Sequence, residues 1–283
     1  MRMTAITLTA AVATGASAGL TTVAQWNFNG PANNQVPGGE LSPAPSTGSG
    51  TASLIGGVTA AVQFGSGIVN GGSSDPVTTA PPNYGWQTTT YASQGTQNGE
   101  RGVQFKVSTE GFENVAVSWD QRHSNTSSRF VQFLYTLDGV TFTSDGLADG
   151  GLFIGASGDT WFNTRSVDLS AIPGAANNPN FGFRIVAVFA PASSAYAASN
   201  GASSYGTAGT WRFDMVTLSA QEIDGGGCEL PGDANCDGLV DGTDLAIVLG
   251  SWGDCAGCPA DLNGDGVVDG VDIALVLGGW TAI

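Results

Sequence analysis

Positive charge is what this sequence has least of. Eight Lys and Arg stand against 24 Asp and Glu, giving a net charge of −16. Nucleic-acid binding rests on Lys and Arg contacts to phosphate, so the composition argues against that class of partner. One histidine, His123, is all the chain has, which excludes a three-histidine metal centre. Cysteine is absent before Cys228. No stretch reaches the roughly 20 apolar residues of a membrane-spanning helix, so no transmembrane segment is expected. Helical periodicity is nearly absent until the last fifth of the chain.

What is present begins with a leader-like start. Arg2 is followed by an apolar run from Ala5 to Ala13 and by the small residues Ala16-Ser17-Ala18. This order of charge, apolar run and small-residue site reads as a secretory signal peptide over residues 1–18. The expectation is an exported protein, secreted or held at the cell surface.

Residues 19–220 are rich in Gly, Ser, Thr, Ala and Asn, with short apolar alternation. Val103 and Phe105 alternate with Gln104 and Lys106; Val115, Val117 and Trp119 alternate with Ala116 and Ser118. Val131, Phe133 and Tyr135 follow the same period of two, as do Phe181, Phe183 and Ile185, and then Trp211 and Phe213. Period two over short runs bounded by Gly and Asn indicates half-buried strands. Nine strands are expected, near residues 23–29, 57–64, 85–92, 102–108, 114–121, 129–136, 162–169, 181–189 and 210–218. The fold class is mainly β, an antiparallel jelly-roll-like sandwich. Its first and last strands, at Trp26 and Trp211, are expected to lie together. Residues 30–50, 70–83 and 190–209 read as long loops. Residues 221–227, with Gly225-Gly226-Gly227, form a Gly-rich linker.

Residues 228–283 contain one pattern written twice. Asp233, Asn235, Asp237, Asp241 and Asp244 occupy positions 1, 3, 5, 9 and 12 of a twelve-residue loop, with Gly238 at position 6. Asp261, Asn263, Asp265, Asp269 and Asp272 do the same, with Gly266 at position 6 and a spacing of 28 residues between copies. Ca²⁺ takes six to eight hard oxygen ligands, and such a loop supplies them, position 7 (Leu239, Val267) giving a backbone carbonyl. Two Ca²⁺ ions are therefore expected. Behind each loop, Leu245, Val248, Leu249 and Trp252, and then Ile273, Val276, Leu277 and Trp280, fall at i, i+3, i+4 and i+7. Each set reads as the apolar face of a short helix, and the two helices are expected to pack together.

A duplicated loop-helix calcium unit of this kind resembles a dockerin module. It is most similar to the cysteine-containing variant, on the junction Gly253-Asp254-Cys255 through Cys258, Ala260-Asp261-Leu262-Asn263-Gly264-Asp265-Gly266. The resemblance covers the last fifth of the chain. It implies a small helical module of two calcium-binding loop-helix repeats that docks onto a cohesin-like scaffold protein or cell surface. Positions 10 and 11 are Gly242-Thr243 and Gly270-Val271, where the best-known dockerins carry paired hydroxyls for partner recognition.

All four cysteines, Cys228, Cys236, Cys255 and Cys258, lie in or beside this module. In an exported small domain four cysteines suggest two disulfides with three possible connectivities, which the sequence leaves open. Zinc is the rival, and the wide spacing of Cys228 and Cys236 disfavours it.

The sandwich shows no catalytic constellation of comparable clarity. Hydrolysis of a glycoside needs two carboxyl groups roughly 5 to 9.5 Å apart, and no strand carries acids two residues apart. His123 lacks an adjacent acid and nucleophile and reads as a surface residue at a strand end. Aromatic residues in or beside loops, Trp86, Tyr91, Trp161 and Tyr205, are the candidates for stacking on a sugar, and packing within the sandwich is their alternative role. Three readings stay open: a noncatalytic display or carbohydrate-recognition protein, a polysaccharide hydrolase, and a structural surface component with a calcium-stabilised end.

Overall fold

The computed structural model describes residues 19–29, 41–60, 64–79, 83–223, 230–235, 238–255 and 258–281. The leader read over residues 1–18 lies outside them. In chain order the strands are β1 (Thr21–Trp26), β2 (Thr47–Gly48), β3 (Thr51–Ile55), β4 (Thr59–Ala60), β5 (Gly65–Ser66), β6 (Tyr84–Thr89) and β7 (Gly102–Lys106). They continue with β8 (Phe112–His123), β9 (Phe130–Thr136), β10 (Leu152–Ile154), β11 (Thr160–Asp168), β12 (Gly182–Ala187) and β13 (Trp211–Glu222). After these come α1 (Gly242–Gly250), β14 (Gly253–Asp254), β15 (Val267–Val268) and α2 (Gly270–Gly279).

The protein is mainly β, built from antiparallel sheets. One sheet runs β11-β8-β13-β1-β2, with β6 beside β13 and the short β4 and β5 beside β6. The other runs β10-β9-β12-β7-β3. The alternating residues do what their period requires: Val103 and Phe105 are fully buried while Lys106 is exposed. Rings from the two sheets meet between them. Trp26 of β1 packs edge-on against Phe105 of β7 at 4.9 Å between centroids, and Trp119 of β8 stacks on Phe133 of β9. A single apolar cluster joins both sheets, with Trp26, Trp86, Trp119 and Trp211 all essentially inaccessible. Burying such rings supplies most of the driving force that offsets chain entropy.

The first and last strands of this body are neighbours, Trp26 opposite Val216 and Thr21 opposite Ala220. β3 and β10 form in segments without the expected alternation, and both are the outermost strands of their sheet. An edge strand has one pairing partner and less face to bury, so its sequence carries a weaker period.

Asp120 and Asp214 alternate with the core residues Trp119 and Phe213, so they project from the outer face of the first sheet. Both are nonetheless buried, because residues 64–79 lie across that face. Register breaks beside each, with Thr164 and Met215 at positive φ (52° and 47°), tighten the backbone around the two carboxylates.

The C-terminal residues have a separate small core. Val240, Val248, Val268 and Val276 are its centre, with Leu245 and Ile273 packed against them and α1 touching α2. Val240 and Val268, Val248 and Val276, and Leu245 and Ile273 are equivalent positions of the two copies, so each repeat supplies half of the core. No helix among the described residues is long and apolar enough to cross a membrane.

Candidate functional site

Each loop of the repeat ends by capping its own helix. Asp241 and Asp269 are the N-caps of α1 and α2, accepting from Thr243 N and Val271 N. The reciprocal bonds run from Asp241 N to Asp244 Oδ2 and from Asp269 N to Asp272 Oδ2, both 2.8 Å. These are two capping boxes with Asp in place of the usual Glu, and the shorter side chain draws the loop end tight.

The position-12 carboxylates are the most enclosed polar side chains among the described residues of the two repeats. Asp244 and Asp272 are 0% exposed. Asp244 Oδ1 accepts from Asn235 N, and Asp272 Oδ1 accepts from Leu262 N and Asn263 N. Each carboxylate therefore reaches back across its loop to position 3 while holding the helix start. Burial raises the pKa of Asp272, but the amide hydrogens of Asp269, Leu262 and Asn263 outweigh it, and the group stays below the ordinary carboxylate range. Position 1 closes the other side: Gly238 N donates to Asp233 Oδ2, and Gly266 N donates to Asp261 Oδ2, both 2.9 Å. Gly238 and Gly266 have φ of 85° and 90°, the left-handed turn that position 6 requires and that a side chain would strain.

No Lys, Arg or His lies in the chain from Glu222 onward, so no side-chain cation offsets these buried acids. Among the described residues no three carboxylates, thiols or imidazoles come together at ion-binding distance. The expected ligand sets also contain Asn235, Asn263 and the carbonyls of Leu239 and Val267, and Asp237 lies outside the described residues. The residues present fit a cation in charge and in donor type, with the carboxylates turned onto loop amides.

The helices are rotated from the expected face. Leu245 and Val248 pack inward, but Leu249 and Trp252 are 53% and 58% exposed, and Leu277 and Trp280 are 57% and 45% exposed. α1 stops at Gly250, before Trp252, and Ile247 takes the place beside the core. The outward residues repeat as faithfully as the inward ones.

Cys255 and Cys258 are joined by a disulfide, which removes them as a zinc half-site. Cys228 and Cys236 lie outside the described residues.

Of the four candidate sugar platforms, Trp86, Tyr91 and Trp161 are buried and Tyr205 is half-buried. Trp86 is 0% exposed and packs between Phe28 and Phe105; Tyr91 is 2% exposed against Trp211, with its hydroxyl on Thr88 Oγ1. Trp161 is buried and donates its indole N–H to Val69 O. Tyr205, half-buried, stacks on Tyr196 and donates to Ala92 O. Trp86 and Tyr91 thus take the packing role within the sandwich.

His123 is buried rather than at the surface. Its Nδ1 is 2.9 Å from Ser128 O, and its ring stands edge-on to Phe162 and Trp211. Burial, then the charge of Arg165, drives its pKa well below 6.5, so it is held neutral. It contacts neither an acid nor a nucleophilic hydroxyl in these bonds, and its role is in packing.

The structure does bring two carboxylates together where strand spacing alone gave none. Asp120 and Asp214 are direct partners across β8 and β13. Both are at most 1% exposed, and their oxygens accept from Ser74 N, Thr164 N, Ser73 Oγ and Met215 N. A pair at most 1% exposed is not presented at the surface to a substrate sugar. The long-range register that creates the pair has no local sequence signal.

No family model matches the chain, and no curated protein matches it.

Proposed function

We propose that this chain is an exported attachment protein. Its C-terminal part, residues 228–283, is a dockerin-like module that binds two Ca²⁺ ions and docks onto a cohesin-like scaffold or surface protein. It carries a jelly-roll-like sandwich, residues 19–220, across the linker at 221–227, and the sandwich is a noncatalytic display or recognition domain. An extracellular polysaccharide is the ligand class proposed for it, with the half-buried Tyr205, which lines a cleft with Gln94 and Arg129, as the candidate ring still within reach.

The observation that carries the reading is the exact-by-position duplication of two opposite features. Asp244 and Asp272 are fully enclosed acids with no basic side chain in their module, whereas Leu249, Trp252, Leu277 and Trp280 are exposed at equivalent positions. The enclosed acids call for a cation. When bound, Ca²⁺ supplies the positive charge that lets the loop oxygens converge. The exposed pairs form apolar surface that a small module would otherwise cover, and tryptophan is a preferred anchor of protein interfaces.

The test uses the full chain. Calcium uptake is measured by equilibrium dialysis, and partner capture from the cell-surface fraction is compared with and without chelator. Calcium-dependent capture of a cohesin-like protein, lost in Trp252→Ser with Trp280→Ser, is expected. Capture that persists in chelator, or no calcium uptake at all, defeats the reading.

A further inference from the structure

The geometry points to a buried cation site in the sandwich, separate from the duplicated loops, in which Asp214 Oδ2 and Asn83 Oδ1 are ligands for a hard divalent cation of the Ca²⁺ class. Asn83 is 1% exposed, and its side-chain oxygen has no hydrogen-bond partner among the described residues. Its amide nitrogen donates to Val77 O at 2.6 Å, which fixes the oxygen on the opposite side. A methyl group on Gly67 would overlap that oxygen and come 3.2 Å from Asp214 Oδ2. The Asn83 oxygen thus fills the space that the missing side chain of Gly67 leaves, and it stands within about 5 Å of Asp214 Oδ2. A buried acceptor left unpaired is destabilising, and a bound ion would satisfy it.

Acids crowd this place. Asp120 lies opposite Asp214 on the neighbouring strand, and Asp75, 8% exposed, belongs to the covering segment. Like charges directly opposite on paired strands oppose pairing. Asp120 and Asp214 are at most 1% exposed, so water does little to screen the two carboxylates from each other. Arg212 is the nearest arginine on β13, but its guanidinium is committed to Ser66 O and Gln87 Oε1. The segment over the site is pinned to the acids from both sides: Ser73 Oγ donates to Asp214 Oδ2 at 2.6 Å, and Asn29 Nδ2 to Asp75 Oδ2 at 2.5 Å. A cleft of about 230 Å³ lined by Gly67, Ser73, Asp75 and Asn83 leads to it. Carboxylate, amide oxygen and hydroxyl are donors that suit Ca²⁺ and disfavour softer metals.

The ions of the tail must be counted separately. In the full chain carrying Asp233→Ala and Asp261→Ala, Ca²⁺ uptake is measured by equilibrium dialysis, and Tb³⁺ luminescence is excited through tryptophan. One equivalent of Ca²⁺ is expected to remain, to displace Tb³⁺, and to be lost on further change of Asp214→Asn. No uptake by the tail-altered chain overturns the proposal. An ion that survives both Asp214→Asn and Asn83→Ala also overturns it. If Asp214→Asn does not fold, the Tb³⁺ signal in its parent decides alone: its absence, or its failure to yield to Ca²⁺, overturns the site.

Discussion

Thr281 and Val240 hold each other by both backbone and side chain. Val240 N donates to Thr281 Oγ1 at 2.7 Å, Thr281 N donates to Val240 O at 2.9 Å, and the hydroxyl donates to the same carbonyl at 3.0 Å. The end of the second repeat is thereby fastened to position 8 of the first loop. Thr281→Val keeps the shape and removes the hydroxyl bonds. It should lower the stability of the C-terminal module by about 1–2 kcal/mol, read as an earlier thermal loss of helical circular dichroism. An unchanged transition would mean that the repeats do not depend on this link.

Asp244→Asn and Asp272→Asn should each remove one equivalent of bound Ca²⁺ from the full chain, measured by dialysis. The amide keeps the volume but replaces one acceptor oxygen, which the N–H of position 9 then faces with a donor. Two independent losses of one ion each are expected. Loss of both ions from either single change would mean that the repeats load as one unit.

Trp119 stacks on Phe133 with centroids 5.7 Å apart, joining the sheets. Trp119→Ala should cost about 3–5 kcal/mol of sandwich stability, seen as a lower urea midpoint of the tryptophan fluorescence transition. A shift under about 1 kcal/mol would show that the core refills the space.

His123 gives a pH dependence whose sign follows from burial. Its folded pKa lies well below 6.5, so below that pH the unfolded chain binds a proton that the folded chain refuses. Stability contributed by the neutral ring is complete above 6.5 and falls as pH drops, by at most about 1.4 kcal/mol per unit, until the folded pKa is passed. The urea midpoint of the wild type should decline from pH 7 to pH 5.5 more steeply than that of His123→Gln. Parallel profiles would contradict a buried neutral histidine. The chain has no second histidine to confuse the comparison.

The strands with clear alternation were legible, because a period of two is a local property: Val103 and Phe105, or Val131, Phe133 and Tyr135, declare their own burial. The pairing of the first and last strands was legible from two similar aromatic runs. β3 and β10 were not, since edge strands bury little. For the aromatic residues beside loops the sequence left packing and sugar stacking both open, because proximity to Gly and Asn says nothing about what folds over a ring; Tyr91 is covered by Trp211, far along the chain. His123 was misplaced for the same reason: a strand end in sequence is capped here by Gly155, where any side chain would collide with the imidazole. The apolar period of the tail located the helices correctly, but it could not say that Trp252 and Trp280 face outward, because a small core accepts Ile247 or Leu249 equally well by spacing. The Asp120–Asp214 pair and the open acceptor of Asn83 arise only from register and from the covering segment.

The pairing of β13 has a mechanical side. β13 lies between β8 and β1, antiparallel to both, and it is the strand that leads toward the C-terminal module. Tension entering at Glu222 along the strand axis would shear β13 against two ladders at once, so their bonds share the load. A strand at the edge would peel away one bond at a time. A body tethered through its tail is thus gripped by one of its inner strands.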